Sequence, residues 1–433
     1  MAEPNESSES SDVETEDACP TKSHNRNPTG HNQYQNCSPR DDPVVSSYLI
    51  EYHRHGITNR KAISQLLNAD HGITMSEVTV ARRRKQLNLY ASGHTTQFLS
   101  GTTKRQLVLD QLAVDPTNRQ GPKIIREAIA NSTSIHLTRD YITEEMHKHE
   151  PRGFELRQSS SKKAKRSPIT VLGPHHEWSG DRHDKLSAIG FPLWGVCDVW
   201  SGAWLGLWVV PNNRLKAAIA YIFLSLVEQL EGMPVQMTTD CGSETGRIFG
   251  LVNTLRETFA PHLGEDAPPA HQFLRSVNNI TIERGWLQLR LQWGNNVKIY
   301  WEAREGIYHP QDLKHFELVQ WLWPKLINQE LNELRDCLNN HRVCKDRTKI
   351  SPSGTTPHIA LSLYKEYNVE WMLQHVDHNV VQDLMEELGG ADLVRFISVG
   401  YAERAEVVYS GLGISKLSFH NVWEIFRAML PLI

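Results

Sequence analysis

Thr238-Thr239-Asp240-Cys241-Gly242-Ser243-Glu244 closes a short β-prone run that begins at Val235, and the way that run ends decides the fold. Val, Gln, Met and Thr give way to Cys-Gly-Ser, and a helical pattern follows from Ser243 to Phe259. Asp240 therefore ends a strand. Upstream, a long amphipathic helix from about Arg214 to Leu230 is stopped by Gly232 and Pro234. Before it come three β-rich runs, Ile169 to Gly180, Leu193 to Val199 and Trp204 to Val210, the last two joined by a Trp200-Ser201-Gly202 turn. Downstream lie a loop rich in Pro and acid, Gly264 to Pro269, and a helical region from about Asn279 to Trp293. The order β-β-β-α-β-α-α describes a mixed sheet flanked by helices, an α/β fold.

Two further acids fall at telling places. Asp181 ends the first run, in His176-Glu177-Trp178-Ser179-Gly180-Asp181, and Glu283 sits in a helix start, in Asn279-Ile280-Thr281-Ile282-Glu283-Arg284. If the first and fourth strands are neighbours, the two Asp residues converge, and a helix crossing that edge adds the Glu. Like charges a few ångströms apart raise one another's pKa, so such a cluster asks for cations. Two Mg²⁺ or Mn²⁺ ions roughly 4 Å apart suit oxygen ligands and can hold the attacking and leaving oxygens of a phosphoryl displacement. Asp184, three residues after Asp181, and Glu244, four after Asp240, compete for the same role. Asp198, at a strand-to-turn position, reads as structural. Cys337, His341 and Cys344 share a helical face, but zinc needs a fourth ligand and packing is the better reading. Trp286, Trp293, Trp301, Trp321 and Trp323 read as core.

The stretch from about Pro174 to Leu363 resembles the integrase catalytic core of the DDE superfamily, retroviral-integrase-like, and most of all transposon-derived integrase-core proteins of fungi. The resemblance rests on Trp178-Ser179-Gly180-Asp181 with His183-Asp184-Lys185-Leu186, on Thr239 through Glu244, on Asn279 through Arg284, and on Asn339-Asn340-His341-Arg342 with Ser351-Pro352. It implies an RNase H-like fold and metal-dependent DNA strand cleavage and strand transfer. It makes Asp181, Asp240 and Glu283 the metal-binding triad, with Asp181 bridging two ions. Asn279, one turn before Glu283, would orient a ligand or phosphate, and Lys185 and Arg284 would contact phosphates. Two features depart from the family pattern. There are 42 residues between the second and third acids, where the motif is named for 35, and Arg182 stands where related sequences often have a small residue. The HHCC zinc domain of retroviral integrases is absent.

In its place the chain carries an internal repeat at an offset of 62. Lys61, Ile63 and Leu67 align with Lys123, Ile125 and Ile129; Ile73, Met75, Ser76 and Val80 align with Ile135, Leu137, Thr138 and Ile142. Each copy reads as a helix, a turn and a helix, with Ser76 and Thr138 at N-cap positions, and a further helix precedes each, Ser46 to His55 and Thr103 to Ala113. Two tandem helix-turn-helix modules are expected across residues 44–157. The last helix of the first copy carries Arg82, Arg83, Arg84 and Lys85, a set suited to phosphates and base edges in a major groove. The second copy has Glu144 and Glu145 there, so its DNA contacts would fall to Lys104, Arg105, Lys123 and Arg126, or the copy mainly packs.

Charge divides along the same lines. The whole chain carries −4. Residues 1–43 hold nine acidic and three basic side chains and read as a disordered tail, in which Cys19, His24, His31 and Cys37 fit no familiar zinc finger. Residues 44–167 hold twenty basic and eleven acidic, a surplus that favours polyanions. The basic linker 158–168 fits a nuclear localisation signal or a phosphate-binding strap, and the core spans 169–365. A small region of unknown role, 366–433, closes the chain, with helices expected at Val380 to Leu388 and His420 to Leu430. The most apolar stretch, Ala217 to Val227, is far short of the ~20 residues a membrane span needs. The polar N-terminus reads as neither signal nor transit peptide, and the few unpatterned cysteines suit a reducing compartment. The expectation is a nuclear DNA integrase or transposase, homo-oligomeric when it synapses element ends. Its rivals are a transposase-derived DNA-binding protein without catalysis and an RNase H-like nuclease.

Overall fold

The computed structural model describes residues 38–39, 41–157, 171–264, 267–274, 279–347 and 349–433. Nearly all of the acidic tail, with its Cys and His residues, and the basic linker lie outside them.

The N-terminal part is helical: α1 (Pro43–Arg54), α2 (Arg60–His71), α3 (Glu77–Gln86), α4 (Ser92–Phe98), α5 (Gly101–Ala113), α6 (Pro122–Thr133), α7 (Arg139–His149) and α8 (Pro151–Leu156). The repeat offset is visible in the backbone. α2 and α6 begin and end 62 residues apart, and α3 and α7 begin 62 apart. The left-handed residue that ends α2, Gly72 at φ 66°, is matched by Ser134 at φ 58° after α6. Only glycine adopts that conformation without cost, so the second copy holds its turn at some strain. The caps differ as well. Ser76 Oγ accepts from Thr79 N–H at 3.3 Å, whereas Thr138 makes no side-chain cap and its N–H donates instead to Thr96 Oγ1 of α4 at 2.9 Å. Each copy has its own apolar core, around Leu49, Ile63, Leu67 and Val80 in one and around Val108, Ile125, Ile129 and Ile142 in the other.

The strands that follow are β1 (Glu177–His183), β2 (Leu193–Asp198), β3 (Trp204–Val209), β4 (Gly232–Met233), β5 (Gln236–Asp240) and β6 (His271–Leu274), and all but β4 form one sheet. Its five main strands lie in the order β3-β2-β1-β5-β6. The first three form an antiparallel meander, while β5 and β6 run parallel to β1. Helices α9 (Lys216–Leu230) and α10 (Gly246–Phe259) cover one face, packing on Trp178, Trp194 and Met237. The other face receives α11 (Ile280–Leu289), α12 (Asn295–Glu302) and the long α13 (Leu313–Asn339), around Leu193, Leu207, Trp286 and Trp323. This is the RNase H-like α/β core expected.

The first strand starts later than its sequence suggests. Residues 171–176 form an irregular entry with His175 at φ 59°, and the strand runs on through Asp181 to His183, so Asp181 lies inside β1 and not at its end. The edge strand β6 was not expected. The region after 366 shares the core's own apolar clusters. Beyond α14 (Pro357–Ser362) and β7 (Gln374–His375), which pairs with β4, α15 (His378–Leu388) packs with the α9 side, and α16 (Val399–Gly411) and α17 (Val422–Met429) pack with the α13 side. No helix among the described residues is long and apolar enough to cross a membrane.

Candidate active site

β1 and β5 run in register, Ser179 opposite Thr238 and Gly180 opposite Thr239. One step further, Asp181 stands beside Asp240. Neighbouring strands lie about 4.8 Å apart and matched positions point to the same face, so the two carboxylates share one side of the sheet. Alternation along β1 sends Ser179, Asp181 and His183 to that side, and all three are engaged by α11 or its cap. Ser179 Oγ donates to Asn279 Oδ1 at the helix N-cap, Trp286 Nε1 donates to Asp181 Oδ2 at 3.1 Å, and His183 stacks on Trp286 with ring centres 4.9 Å apart. Glu283 lies between Asn279 and Trp286 in the first turn of α11, where the helix dipole favours a carboxylate. The helix can sit this close because Gly195 faces it. A Cβ there would come within 2.7 Å of Trp204 and 2.8 Å of Trp286.

Asp181 senses both other acids. Burial, then Asp240, pushes the buried Asp181 carboxyl up to about 7; Glu283 adds to the rise, and hydrogen bonds from the Arg182 backbone and Trp286 oppose it. Burial and Asp240 also raise Glu283. Among the described residues no three His, Cys, Asp or Glu side chains close into a ready-made metal cage, and Glu283 is exposed on its helix. The carboxylates are electrostatic neighbours short of coordination distance. Their donor chemistry fits hard divalent cations: carboxylate oxygens gather at one place, and burial together with the neighbouring acids raises Asp181 there.

The competing acids are occupied. Arg182 alternates away from Asp181 to the opposite face, where its Nη1 meets the buried Glu244 at 2.8 Å. Asp184 accepts from Asn213 at 2.8 Å and Arg214 at 3.2 Å; burial pushes its carboxyl up, but these bonds hold it below the usual range. Asp198, fully buried, takes the N–H groups of His175 and Ser201 and the Ser201 hydroxyl, a structural role. Cys337 accepts from Asn131, and His341 donates to Glu127 at 2.6 Å; both pack the end of α13 against α6.

Asn279, expected to orient a ligand, holds the start of α11 to β1, and its buried Nδ2 has no partner among the described residues. Lys185 and Arg284 are exposed as expected. Arg290 and Lys298, which the sequence did not single out, add to the local positive charge: after burial, Lys185, Arg290 and Lys298 hold His183 down to about 4, against Asp184. Trp286 lies in the core as expected, and it also bonds Asp181, a role its reading as core does not contain. The signal was its spacing, three residues after Glu283 on one helix face.

The proposed DNA-contacting cations divide. Arg82 and Lys85 are exposed on α3. Arg83 is buried, donating to Ser38 and Pro39 carbonyls at 2.7 and 2.8 Å, and Arg84 donates to Thr58 O at 2.6 Å. Four consecutive helical residues point around the full circumference, so one face alone could not carry them all outward. In the second copy Lys123 donates to Arg342 O and His341 Nε2, Lys104 to Thr96 O, and Arg105 to Glu145. Arg126 is half-buried beside a cavity.

Residues 169–363 match the family model described as integrase core domain. No curated protein matches the chain.

Proposed function

We propose that this chain, whose residues 169–363 are an integrase catalytic core of the DDE and RNase H-like superfamily, is a DNA integrase or transposase that cleaves and joins strands with divalent metal ions. At the coarser level the domain belongs to the integrase and transposase class of polynucleotidyl transferases. The observation that carries the finer reading is that Asp181 and Asp240 lie one step beyond the paired Gly180 and Thr239, with Asp240 and Glu283 raising the Asp181 carboxyl while the adjacent Arg182 turns away.

In this reading Asp181, Asp240 and Glu283 hold Mg²⁺ or Mn²⁺, two ions, which would activate a water or DNA 3′-hydroxyl and stabilise the leaving oxygen. The indole of Trp286 fixes the Asp181 carboxylate, and the Ser179–Asn279 bond fixes the first turn of the helix that carries Glu283. Lys185, Arg284, Arg290 and Lys298 supply positive charge for the DNA backbone around the site. The first helical copy recognises element ends, with Arg82 and Lys85 of α3 toward DNA. A homo-oligomer brings two ends together, and the basic residues 162–166 serve nuclear import.

The test is incubation of the purified protein with element-end DNA and Mg²⁺ or Mn²⁺, beside an Asp240→Asn variant. Joined products that vanish in the variant are expected. Nicking without joining would make the protein a nuclease. DNA binding with no metal-dependent chemistry would overturn both enzyme readings and leave a DNA-binding protein derived from a transposase.

A further inference from the structure

A cavity of about 490 Å³ lies where the two helical copies meet the end of α13, apart from the carboxylate site. Its wall carries Arg54 from α1, Arg126 from α6 and Arg342 from the segment after α13. Among the described residues neither Arg54 nor Arg126 makes a hydrogen bond or ion pair. Arg342 gives only its Nε, to Gly354 O at 2.8 Å. Two acids share the wall: Glu127 accepts from His341 at 2.6 Å, and Asp336 lies 3.7 Å from Arg335 and acts on the His55 ring.

A second observation falls at the same place. Arg54 Nε, His55 Nε2, Asn131 Oδ1 and Asn340 Oδ1 are buried polar atoms without a hydrogen-bond partner, and all four residues line this cavity. An unmet buried polar group is costly, so a cluster of them around one space marks something that fills it. Three arginines against two acids leave the wall with a surplus of positive charge, which favours an anion. The planar fork of arginine matches phosphate oxygens in pairs, which the compact ammonium of lysine does not. The volume is that of a small-molecule pocket, about 300–1,000 Å³, and exceeds what a lone inorganic ion needs.

We propose that this cavity binds a phosphate ester of nucleotide size, with Arg54, Arg126 and Arg342 on the phosphate and the Asn131, Asn340 and His55 side chains on its polar organic part. The source is either a free nucleotide or a nucleotide of DNA laid against the helical module. The inference does not depend on the core being catalytic.

The experiment titrates the full chain at low salt with dAMP and with a short DNA duplex, following thermal melting and binding. dAMP is expected to raise the melting temperature of the wild type and to bind Arg126→Ala about tenfold more weakly, with partial recovery in Arg126→Lys, which keeps charge without the fork. Arg54→Gln serves as a second variant should Arg126→Ala not fold, and circular dichroism monitors both. If the nucleotide belongs to DNA, the duplex displaces dAMP and the salt dependence of duplex binding falls by about one charge in the variant. If it is a free ligand, dAMP and duplex bind together and the salt dependence is unchanged. The proposal is overturned if dAMP does not bind the wild type, or binds the folded variants equally well. These readouts need no strand joining, so a failure of the catalytic reading would leave them intact.

Discussion

The two helical copies share a register of 62 residues and use it for opposite ends. The first leaves Arg82 and Lys85 in solvent on α3. The second has the acidic Glu145 buried in the matching helix α7, held by Arg105 at 3.1 Å and Lys148 at 3.1 Å, and it turns its loops toward the core. Asn296, buried on α12, donates to Asp115 at 3.1 Å and accepts from Thr117 Oγ1 at 2.7 Å; Gln120 donates to Gln292 O in the π-helical turn that links α11 to α12. One copy leaves Arg82 and Lys85 in solvent while Arg83 and Arg84 bond carbonyls, and the other uses its loops to fasten the module to the turn and helix that follow α11. On the proposed function the first copy is the reader and the second the mount.

The largest effect should come from detaching the mount. Asn296→Ala removes a buried side chain with bonds to both elements and should cost about 2–4 kcal/mol. Thermal melting would show it, and strand joining should fall much more than duplex affinity. Equal losses in both would mean the second copy reads DNA after all. Next, Arg83→Ala deletes a buried guanidinium bonded to two carbonyls and should destabilise by about 1–3 kcal/mol, although its neighbour in sequence is a surface cation. A smaller effect is set by pH at the seam between the copies, where His136 Nε2 donates to His53 O at 2.7 Å and the rings lie 4.2 Å apart. Burial first, then His136 and Arg84, holds His53 down to about 4; burial lowers His136 too, with Arg126 and Arg84 adding. The folded seam therefore resists protonation. Its stability is complete above about pH 6.5 and declines as pH falls toward 4, measurable as a lower denaturation midpoint at pH 5 than at pH 7. Smallest in stability is Arg82→Ala, within about 0.5 kcal/mol of wild type, yet it should lower the salt slope of duplex binding by about one. An unchanged slope would leave the first copy no better a reader than the second.

What the sequence made legible follows from locality. Helix bounds within the repeat emerged because amphipathic period and caps are written in adjacent residues, and Asp240 was placed correctly because Gly242 and Ser243 interrupt the strand after it. The parallel pairing of β1 with β5 joins residues some sixty apart, and only the assumption that those strands are neighbours brought Asp181 to Asp240. The strand β6 escaped notice because four residues, His271 to Leu274, two of them exposed, carry too little pattern. Arg83 and Arg84 were misjudged for a different reason. A run of cations shows charge, whereas the carbonyls that bind it come from Ser38, Pro39 and Thr58, remote in sequence. Asp184 and Glu244 could be set aside only once Asn213, Arg214 and Arg182 were seen to hold them.

The turn of Arg182 away from Asp181 gives β1 a parity. Odd positions from Ser179 to His183 build the site and even ones serve the layer beneath, so the strand works in only one of two phases. A single residue inserted after Gly180, with the rest of the sheet kept, would exchange them. Asp181 would then be turned toward Glu244, acid on acid, the inserted residue would stand beside Asp240, and Arg182 would take the place of His183 over Trp286. Few lesions so small would silence a site so completely while leaving every side chain of it in the chain.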